Sequence, residues 1–354
     1  MNARVAAALL VLLAALGGGA LLVREQAASQ KPAATGTLGQ PLLKGLQAAA
    51  VAAIAIRAPD GALTLARKED RWTIAERGGF PADLDRVREL VLKAIELKIV
   101  QAEPIGEQDH ARLKLDAGGT AVEFRGADGK PLARLVAGKK YFTREPENPD
   151  KARGDGRFVL LPETARTVFV VSDPLAQATP RTAEWISRSG FAAEKLRALE
   201  VRLADGERWR IERATDNADW KLAGAKGAEK LETTRANAAS YSLSKVELAD
   251  VAPGDVKDTG LDKPATIIAA SFDGLTYTLR VGRLEGENYY ATVAVDGEAR
   301  PEGKDAEERL KRISERLPRE RALSGYTLLI ARTKLEDVLK RRSELLAKPQ
   351  DKKK

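Results

Sequence analysis

Residues 51–74, VAAIAIRAPDGALTLARKEDRWTI, contain two alternating apolar segments, a tight turn and the start of a third strand. Alternation of apolar with other residues on both sides of the turn is the period of a half-buried β-strand. The turn Pro59-Asp60-Gly61 combines a residue with fixed φ and one that accepts positive φ. The stretch therefore predicts an antiparallel set of strands that ends at Trp72-Thr73-Ile74.

The same pattern recurs in the second half of the chain. Residues 199–203, LEVRL, lead through the turn Asp205-Gly206 to two further strands, the last at Trp220. A helix follows each copy, predicted by apolar residues at three- and four-residue spacing after Pro81 and after Thr233-Thr234. Proline suits the first helical position and threonine suits the N-cap, so both helix starts are consistent with their sequences.

A β-hairpin follows each predicted helix. Asp128-Gly129 and Asp273-Gly274 lie between alternating strands, and Asp-Gly is a strong hairpin signal there. A further aromatic strand follows each hairpin, at residues 141–144 (YFTR) and 289–293 (YYATV). The two copies thus predict an internal repeat, in which one helix covers one face of a mostly antiparallel sheet.

A third section closes the chain. A charged helix is predicted over residues 306–317 and is expected to end at Pro318, because proline disrupts helix interiors. A second helix is predicted over residues 334–346, because Thr333 and Glu336 have the spacing of a capping box. A strand lies between these two helices in the prediction.

The predicted fold is α+β, with an N-terminal transmembrane helix, two tandem α+β repeats and a C-terminal helix–strand–helix section. Each repeat has a mostly antiparallel sheet and one covering helix. A length of 354 residues allows two ordinary domains. The predicted segments are the anchor (1–25), a linker (26–45), the first repeat (46–172), the second repeat with its connecting segment (173–298), the C-terminal section (299–348) and a disordered basic tail (349–354).

The N-terminal segment predicts a membrane anchor. From Val5 to Val23 the chain reads VAAALLVLLAALGGGALLV, without a charge. A helix of that length spans about 28 Å, close to the hydrocarbon thickness of a bilayer. Arg4 precedes the run, which favours a cytoplasmic N-terminus in the cell inner membrane and a periplasmic, extracytoplasmic remainder. A cleavable signal peptide is the alternative, since Gly18-Gly19-Ala20 offers small residues, although signal peptides have shorter apolar cores.

Composition excludes several kinds of site. The chain has no cysteine, which excludes disulfides, thiolate nucleophiles and Cys-ligated metals. Its one histidine, His110, lies in the polar run GEQDH (106–110), which predicts a loop. The net charge is +8, but residues 302–354 hold 16 basic and 10 acidic residues. The remainder is close to neutral, so no nucleic-acid partner is predicted.

Carboxylates and tryptophans are the remaining candidates for a site. Glu200 with Glu212, and Glu145 with Glu147, could in principle perform acid–base chemistry, but solvated charge is the favoured interpretation. Tryptophans are predicted to anchor the core rather than to form an exposed platform that stacks on sugars. They are Trp72, Trp185, Trp209 and Trp220. No catalytic, cofactor-binding or metal-binding residue is assigned, and no cofactor is expected.

Several short motifs, in this order, resemble the bacterial family called domain of unknown function 4340. They are the segment DRWTI (70–74), the segment FPAD (80–83), Gly138 after a Leu-Val run, the segment EWI (184–186) and the turn FDG (272–274). The resemblance carries no catalytic or ligand residue over. It implies an auxiliary or envelope-scaffolding role, because members of the family are often encoded beside ABC-type transport systems.

The predicted function is that of a non-enzymatic, membrane-anchored extracytoplasmic protein, an auxiliary or scaffolding component of an ABC-type transport or cell-envelope complex. Its partners are then the membrane, through residues 5–23, and a protein of the inner membrane or envelope. Edge strands and the basic C-terminal helix around Lys340-Arg341-Arg342 are the predicted contact surfaces. The alternative is an envelope hydrolase, or a ligand- or glycan-binding enzyme, that uses carboxylates in a cleft between the repeats.

Overall fold

The structure is a computed structural model that describes residues 37–144, 146–164, 166–227 and 229–347. The strands of these residues are β1 (Ala53–Ala58), β2 (Gly61–Lys68), β3 (Arg71–Ile74), β4 (Phe80–Pro81), β5 (Ile99–Pro104), β6 (Thr120–Arg125), β7 (Pro131–Tyr141), β8 (Gly156–Leu160), β9 (Thr167–Val171), β10 (Ser189–Phe191), β11 (Leu196–Arg202), β12 (Arg208–Glu212), β13 (Lys221–Leu222), β14 (Val246–Glu247), β15 (Asp250–Val251), β16 (Ala265–Ser271), β17 (Leu275–Glu285), β18 (Asn288–Gly297) and β19 (Leu328–Ala331). The helices are α1 (Leu84–Glu96), α2 (Glu107–Leu113), α3 (Thr233–Tyr241), α4 (Ala306–Ala322) and α5 (Arg332–Leu335).

The chain divides into two compact units. Of the described residues, the first unit holds 37–62 and 88–180, and the second holds 63–87 and 181–347. The second unit therefore combines a short piece of the N-terminal half with nearly all of the described C-terminal half. The boundaries of the two repeats, which were predicted from the sequence, remain predictions.

The first unit contains an antiparallel sheet with the strand order β1-β6-β7-β8-β9-β5. Apolar side chains lie in register on one face: Ile56 is opposite Val122, and Val122 is opposite Leu135. All three are buried, as are Leu90 and Ala94 on α1. The spacing of the buried positions on α1 is that of an amphipathic helix, as predicted.

A second apolar cluster lies on the other face of this sheet. Val136 is opposite Leu160, and Leu160 is opposite Val168, on alternate positions to the first face. Leu113 on α2 and Leu115 just after it complete the cluster. The segment that connects β5 to β6 therefore covers this face of the first unit's sheet.

The run at residues 106–110 is helical, and the prediction of a loop there is wrong. These residues form the start of α2, with Gly106 as the N-cap. The Asp109 carboxylate accepts a hydrogen bond from the Gly106 N–H at 3.3 Å and stabilises the first turn. Arg112, one turn later, donates to Asp109 at 3.0 Å and lowers the pKa of that carboxyl. His110 is half-buried on this helix.

The second unit contains an antiparallel sheet with the order β13-β12-β11-β16-β17-β18-β19-β15. From β11 to β15 this order matches that of the first unit from β1 to β5. On the inner face Val201 is opposite Ile267, Ile267 is opposite Leu279 and Leu279 is opposite Val293. All four are buried. The prediction of an α+β chain with mostly antiparallel sheets and few helices is confirmed.

The long middle strands of the two sheets share a detail at Gly138 and Gly282. A Cβ on Gly138 would lie 2.3 Å from the Leu113 carbonyl oxygen, and one on Gly282 would lie 2.1 Å from the Thr259 carbonyl oxygen. The pairing register shifts just after each glycine, between Ala137 and Lys140 in β7 and in the same place in β17. In both units a connecting segment thus crosses the sheet at a glycine beside a β-bulge.

Residues 63–87 supply the second unit with a small antiparallel ribbon. Phe80 on β4 is opposite Ile74 on β3, and its ring packs edge-on against Tyr326 with centroids 4.9 Å apart. Arg77, just before β4, donates to the Asp250 carboxylate at 3.1 Å. Trp72 on β3 is half-buried.

The C-terminal section departs from the prediction in both helices. The first, α4, continues through Pro318 to Ala322. Proline removes one backbone donor, and burial of Leu317 and Glu320 holds the last turn in place. The predicted helix over residues 334–346 is wrong, because α5 ends at Leu335 and a separate 3-10 turn begins at Arg342.

Backbone pairing explains why that second helix is not continuous. Glu232 N–H donates to the Leu345 carbonyl at 2.8 Å, and Ala347 N–H donates to the Lys230 carbonyl at 2.8 Å. These bonds draw residues 345–347 out along a neighbouring segment of the same unit. The expected basic helix surface does not form, since Arg341 pairs with Asp205 and Glu207.

The aromatic run at residues 141–144 also differs from its prediction as a separate strand. Tyr141 ends β7, and the next strand begins at Gly156. The intervening loop folds around Lys140, whose ammonium donates to the carbonyls of Asp150 and Ala152, each at 2.7 Å.

Within the described residues, no helix has the length and apolar character needed to cross a membrane. The anchor predicted from Val5 to Val23, the signal-peptide alternative at residues 18–20 and the tail at residues 349–354 all lie outside the described residues. All three stay predictions.

Candidate functional site

The second unit contains a polar cavity of about 700 Å³, here called the second-unit cavity. Its walls come from α3, the N-terminal half of α4, the turn between β10 and β11, and the segment after β12. The lining side chains that the following paragraphs use are Lys195, Arg213, Asp216, Trp220, Asn237, Ser240, Tyr241, Ser244, Asp273, Arg309 and Arg312.

A buried ion pair lies in one wall. Arg309, in the first turns of α4, donates to Asp273 at 3.0 Å and to Asp305 at 2.6 Å. The side chains of Arg309 and Asp273 are 8% and 7% exposed. A hydrogen bond from Arg309 lowers the pKa of Asp305. Because buried charges must be paired, this contact fixes α4 to the turn between β16 and β17.

A stacked guanidinium forms another part of the wall. Arg213 lies over the Trp220 ring, 4.7 Å from its centroid, and 6.0 Å from the centroid of Phe272. It also donates to the Leu196 carbonyl and to the Asp216 carboxylate, each at 2.7 Å. Cation–π contact and hydrogen bonds together hold the segment after β12 in place.

Helix α3 presents its polar side to the cavity. Asn237 shares one face of the helix with Ser240 and Tyr241, which lie three and four residues later, and Ser244 follows just after the helix ends. The helix begins at the N-cap Glu232, whose carboxylate accepts from the Arg235 N–H at 2.9 Å. The hydrogen bond from this N–H lowers the pKa of Glu232. The predicted N-cap at Thr233-Thr234 is one residue too late.

The lining offers hydroxyl, amide and charged groups for hydrogen bonds and ion pairs. Ser240 and Ser244 donate their hydroxyls to the carbonyls of Asn237 and Tyr241, at 2.9 and 2.8 Å. Asp216 lies beside a cation, Arg213. Among the described residues, no group of three histidine, aspartate or glutamate side chains is placed to hold a metal ion.

The carboxylates considered from the sequence lie elsewhere. Glu200 and Glu212 both pair with Arg210, at 3.5 and 3.3 Å, on the outer face of the sheet. Glu145 lies outside the described residues, and Glu147 is exposed. The predicted core tryptophans are confirmed at three positions, since Trp185, Trp209 and Trp220 are buried.

No pattern in the sequence marks the cavity residues as a site. Lys195, Asp273 and Arg309 lie far apart in the chain, and charged residues are common throughout it. The segment Phe272-Asp273-Gly274 contains one cavity residue, Asp273, but its sequence predicts only a hairpin turn.

The outer face of the second unit's sheet is open. Ile268 on β16 is opposite Glu200 and Thr278, and Thr278 is opposite Ala294. Ile268 is 37% exposed. The flanking positions are also half-buried or exposed, and most are short; they are Thr266, Arg280 and Thr292 on one side, and Ala270, Thr276 and Asp296 on the other.

A comparison with protein-family models gives a match. The model described as Domain of unknown function (DUF4340) matches residues 72–264, more than half of the chain. The chain belongs to the DUF4340 family. This match covers Lys195, Arg213 and Trp220 of the cavity and ends before Asp273 and Arg309. Curated proteins and solved structures yield no match to this DUF4340 chain.

Proposed function

We propose that this DUF4340 protein is a non-enzymatic, membrane-anchored protein of the cell inner membrane whose extracytoplasmic part docks on another protein. The partner is a component of an ABC-type transport or cell-envelope complex, in which the protein is auxiliary or scaffolding. The open outer face of the second unit's sheet carries this proposal. The transport assignment rests on the family resemblance alone.

The open face has the composition of a docking surface. Thr266, Thr278 and Thr292 have short side chains, and Ile268 supplies an exposed apolar side chain among them. Burial of an exposed apolar side chain at an interface favours association. The threonine hydroxyls can form hydrogen bonds with a partner at the same time.

Site-specific photo-crosslinking in living cells tests the proposal. A photoreactive residue such as p-benzoylphenylalanine replaces Thr278 in the full chain, and a matched control carries it at Glu315, an exposed position on α4. We expect position 278, and not 315, to give an adduct with an inner-membrane or envelope protein. The substitution Ile268→Lys should abolish that adduct, while Leu310→Lys, at another exposed apolar position, should leave it unchanged.

Two outcomes would contradict docking through this face. One is the absence of any adduct at position 278 in cells that carry the folded protein. The other is the same set of adducts at positions 278 and 315, which indicates random collision.

A ligand-binding role is the second candidate, and the second-unit cavity favours it. The sequence predicts, as the alternative function, glycan binding in a cleft between the repeats, whereas this cavity lies within the second unit. The enzymatic part requires a carboxylate that exchanges protons with a substrate. Incubation of the purified chain with cell-wall glycan, followed by an assay for new reducing ends, tests it, and product formation would replace the non-enzymatic proposal.

A further inference from the structure

The second-unit cavity has the size of a small-molecule site. Its volume of about 700 Å³ falls within the roughly 300–1,000 Å³ of sites that enclose small ligands. Most of the lining side chains are polar or charged. A ligand of a few sugar rings fits both the volume and the polarity.

An exposed aromatic ring lines this cavity. Tyr241 is 77% exposed at the end of α3, although a large ring is usually covered. Beside it stand the Asn237 amide and the hydroxyls of Ser240 and Ser244. A pyranose ring offers an apolar C–H face and a rim of hydroxyls, so it complements a flat ring surrounded by short polar groups.

The charge of the lining favours an anion. Five basic and three acidic residues line the cavity: Lys195, Arg213, Lys245, Arg309 and Arg312, and Glu194, Asp216 and Asp273. The ammonium of Lys195 is 3.6 Å from Asp216 and 3.9 Å from Asp305, and the guanidinium of Arg312 is 3.7 Å from Glu308. These separations exceed the usual length of an N–H···O hydrogen bond, so both cations keep donors for a ligand.

The backbone holds Lys195 in an unusual conformation. Its φ is 48°, in the left-handed region that non-glycine residues rarely adopt. The Phe272 N–H donates to the Lys195 carbonyl, and the Ala193 N–H donates to the Leu243 carbonyl, each at 2.9 Å. Strained residues fixed in this way are frequent at binding sites, where they place a side chain in advance.

We propose that the second-unit cavity binds a saccharide that carries a carboxylate. Tyr241 stacks on a sugar ring, and Lys195 and Arg312 bind the carboxylate. Arg213 and Arg309 shape the walls through their contacts with Trp220 and Asp273. This inference goes beyond the docking role and does not depend on the open sheet face, so either can fail alone.

Calorimetric titration of the purified full chain tests the inference, in a detergent without a sugar head group. The probes are trigalacturonic acid, maltotriose as a neutral saccharide of equal length, and citrate as a carboxylate without rings. We expect trigalacturonic acid to bind at least about tenfold more tightly than either of the others. Equal binding of maltotriose, equal binding of citrate, or no binding of trigalacturonic acid overturns the proposal.

Variants locate the binding. Tyr241→Ala and Lys195→Met should each weaken trigalacturonic acid at least about tenfold. The matched controls Leu310→Ala and Arg319→Met alter exposed side chains of α4 outside the cavity lining and should bind as the natural chain does. Circular dichroism confirms that each variant is folded. Unchanged binding in both folded cavity variants places the ligand elsewhere and refutes the assignment.

Discussion

Gly138 and Gly282 show how a single residue determines a chain crossing. Each lies where a connecting segment passes over a long strand, with a carbonyl oxygen at the place of a side chain. Any other residue would put a Cβ against that oxygen. The absence of a side chain, rather than a positive φ, is therefore what both positions require.

Replacement of either glycine by alanine should destabilise its own unit. We expect Gly138→Ala and Gly282→Ala each to lower the free energy of unfolding by about 2 kcal/mol, because the added methyl group forces the crossing segment away. Urea unfolding followed by circular dichroism measures this. The control Gly325→Ala has no atom within 4 Å of the new Cβ. A loss no larger than in the control would show that the crossing adapts.

Tyr277 belongs to a buried polar group in the second unit. Its hydroxyl donates to the Glu320 carboxylate at 2.9 Å, and Glu320 also accepts from the Ala192 N–H at 3.0 Å. Glu320 is 1% exposed. Burial, and then the negative charge of Glu320, raise the pKa of Tyr277 far above its ordinary value.

This shift predicts loss of stability at alkaline pH. The raised pKa favours the neutral phenol in the folded state, so its contribution is complete below about pH 10 and is lost as the pH rises further. Relative to Tyr277→Phe, the natural chain should lose about 1.4 kcal/mol per pH unit above that point. Unfolding free energies of both proteins from pH 8 to 11 measure this, and parallel curves would exclude the effect.

At the scale of elements, the C-terminal segment is held by tertiary contacts. Leu345 is fully buried, and the backbone of residues 345–347 pairs with that of residues 230–232. Arg342 also pairs with Glu229 at 2.6 Å, and its hydrogen bond lowers the pKa of that carboxyl. This segment closes the second unit and is not a free basic surface.

Shortening the Leu345 side chain should therefore destabilise the protein. We expect Leu345→Ala to lower the free energy of unfolding by about 3 kcal/mol, through lost burial and the cavity that remains. Leu310→Ala, at a leucine that is 44% exposed on α4, serves as the control and should change it little. Thermal unfolding measures both. Equal small effects would indicate that the C-terminal segment is not part of the core.

At the scale of the whole molecule, the anchor predicted over residues 5–23 is expected to orient the protein, and the cysteine-free chain permits a direct test. In spheroplasts, a membrane-impermeant maleimide should label Lys31→Cys and should label Asn2→Cys only after permeabilisation. Each variant carries a single cysteine, so labelling reports one position. Release of a shortened chain from the membrane would instead favour the cleaved signal peptide.

Much of the local fold follows from the sequence alone. Strand alternation and the Asp-Gly turns predicted the antiparallel sheets. The helical spacing after Pro81 and after Thr233-Thr234 predicted two of the helices. Neighbours along the chain determine all of these features. The order of motifs also indicated the family. Short-range signals failed at Pro318 and over residues 334–346, where burial and backbone pairing with distant segments outweigh local preference.

The tertiary structure alone decided the cavity and the open face. Lys195, Asp216, Tyr241 and Arg309 come from four separate segments, and no spacing in the sequence connects them. The open face likewise results from registers across four strands, which place Glu200, Ile268, Thr278 and Ala294 in one row. The sequence determined the strands and turns through contacts between near neighbours, and folding determined the sites through contacts between residues far apart in the chain.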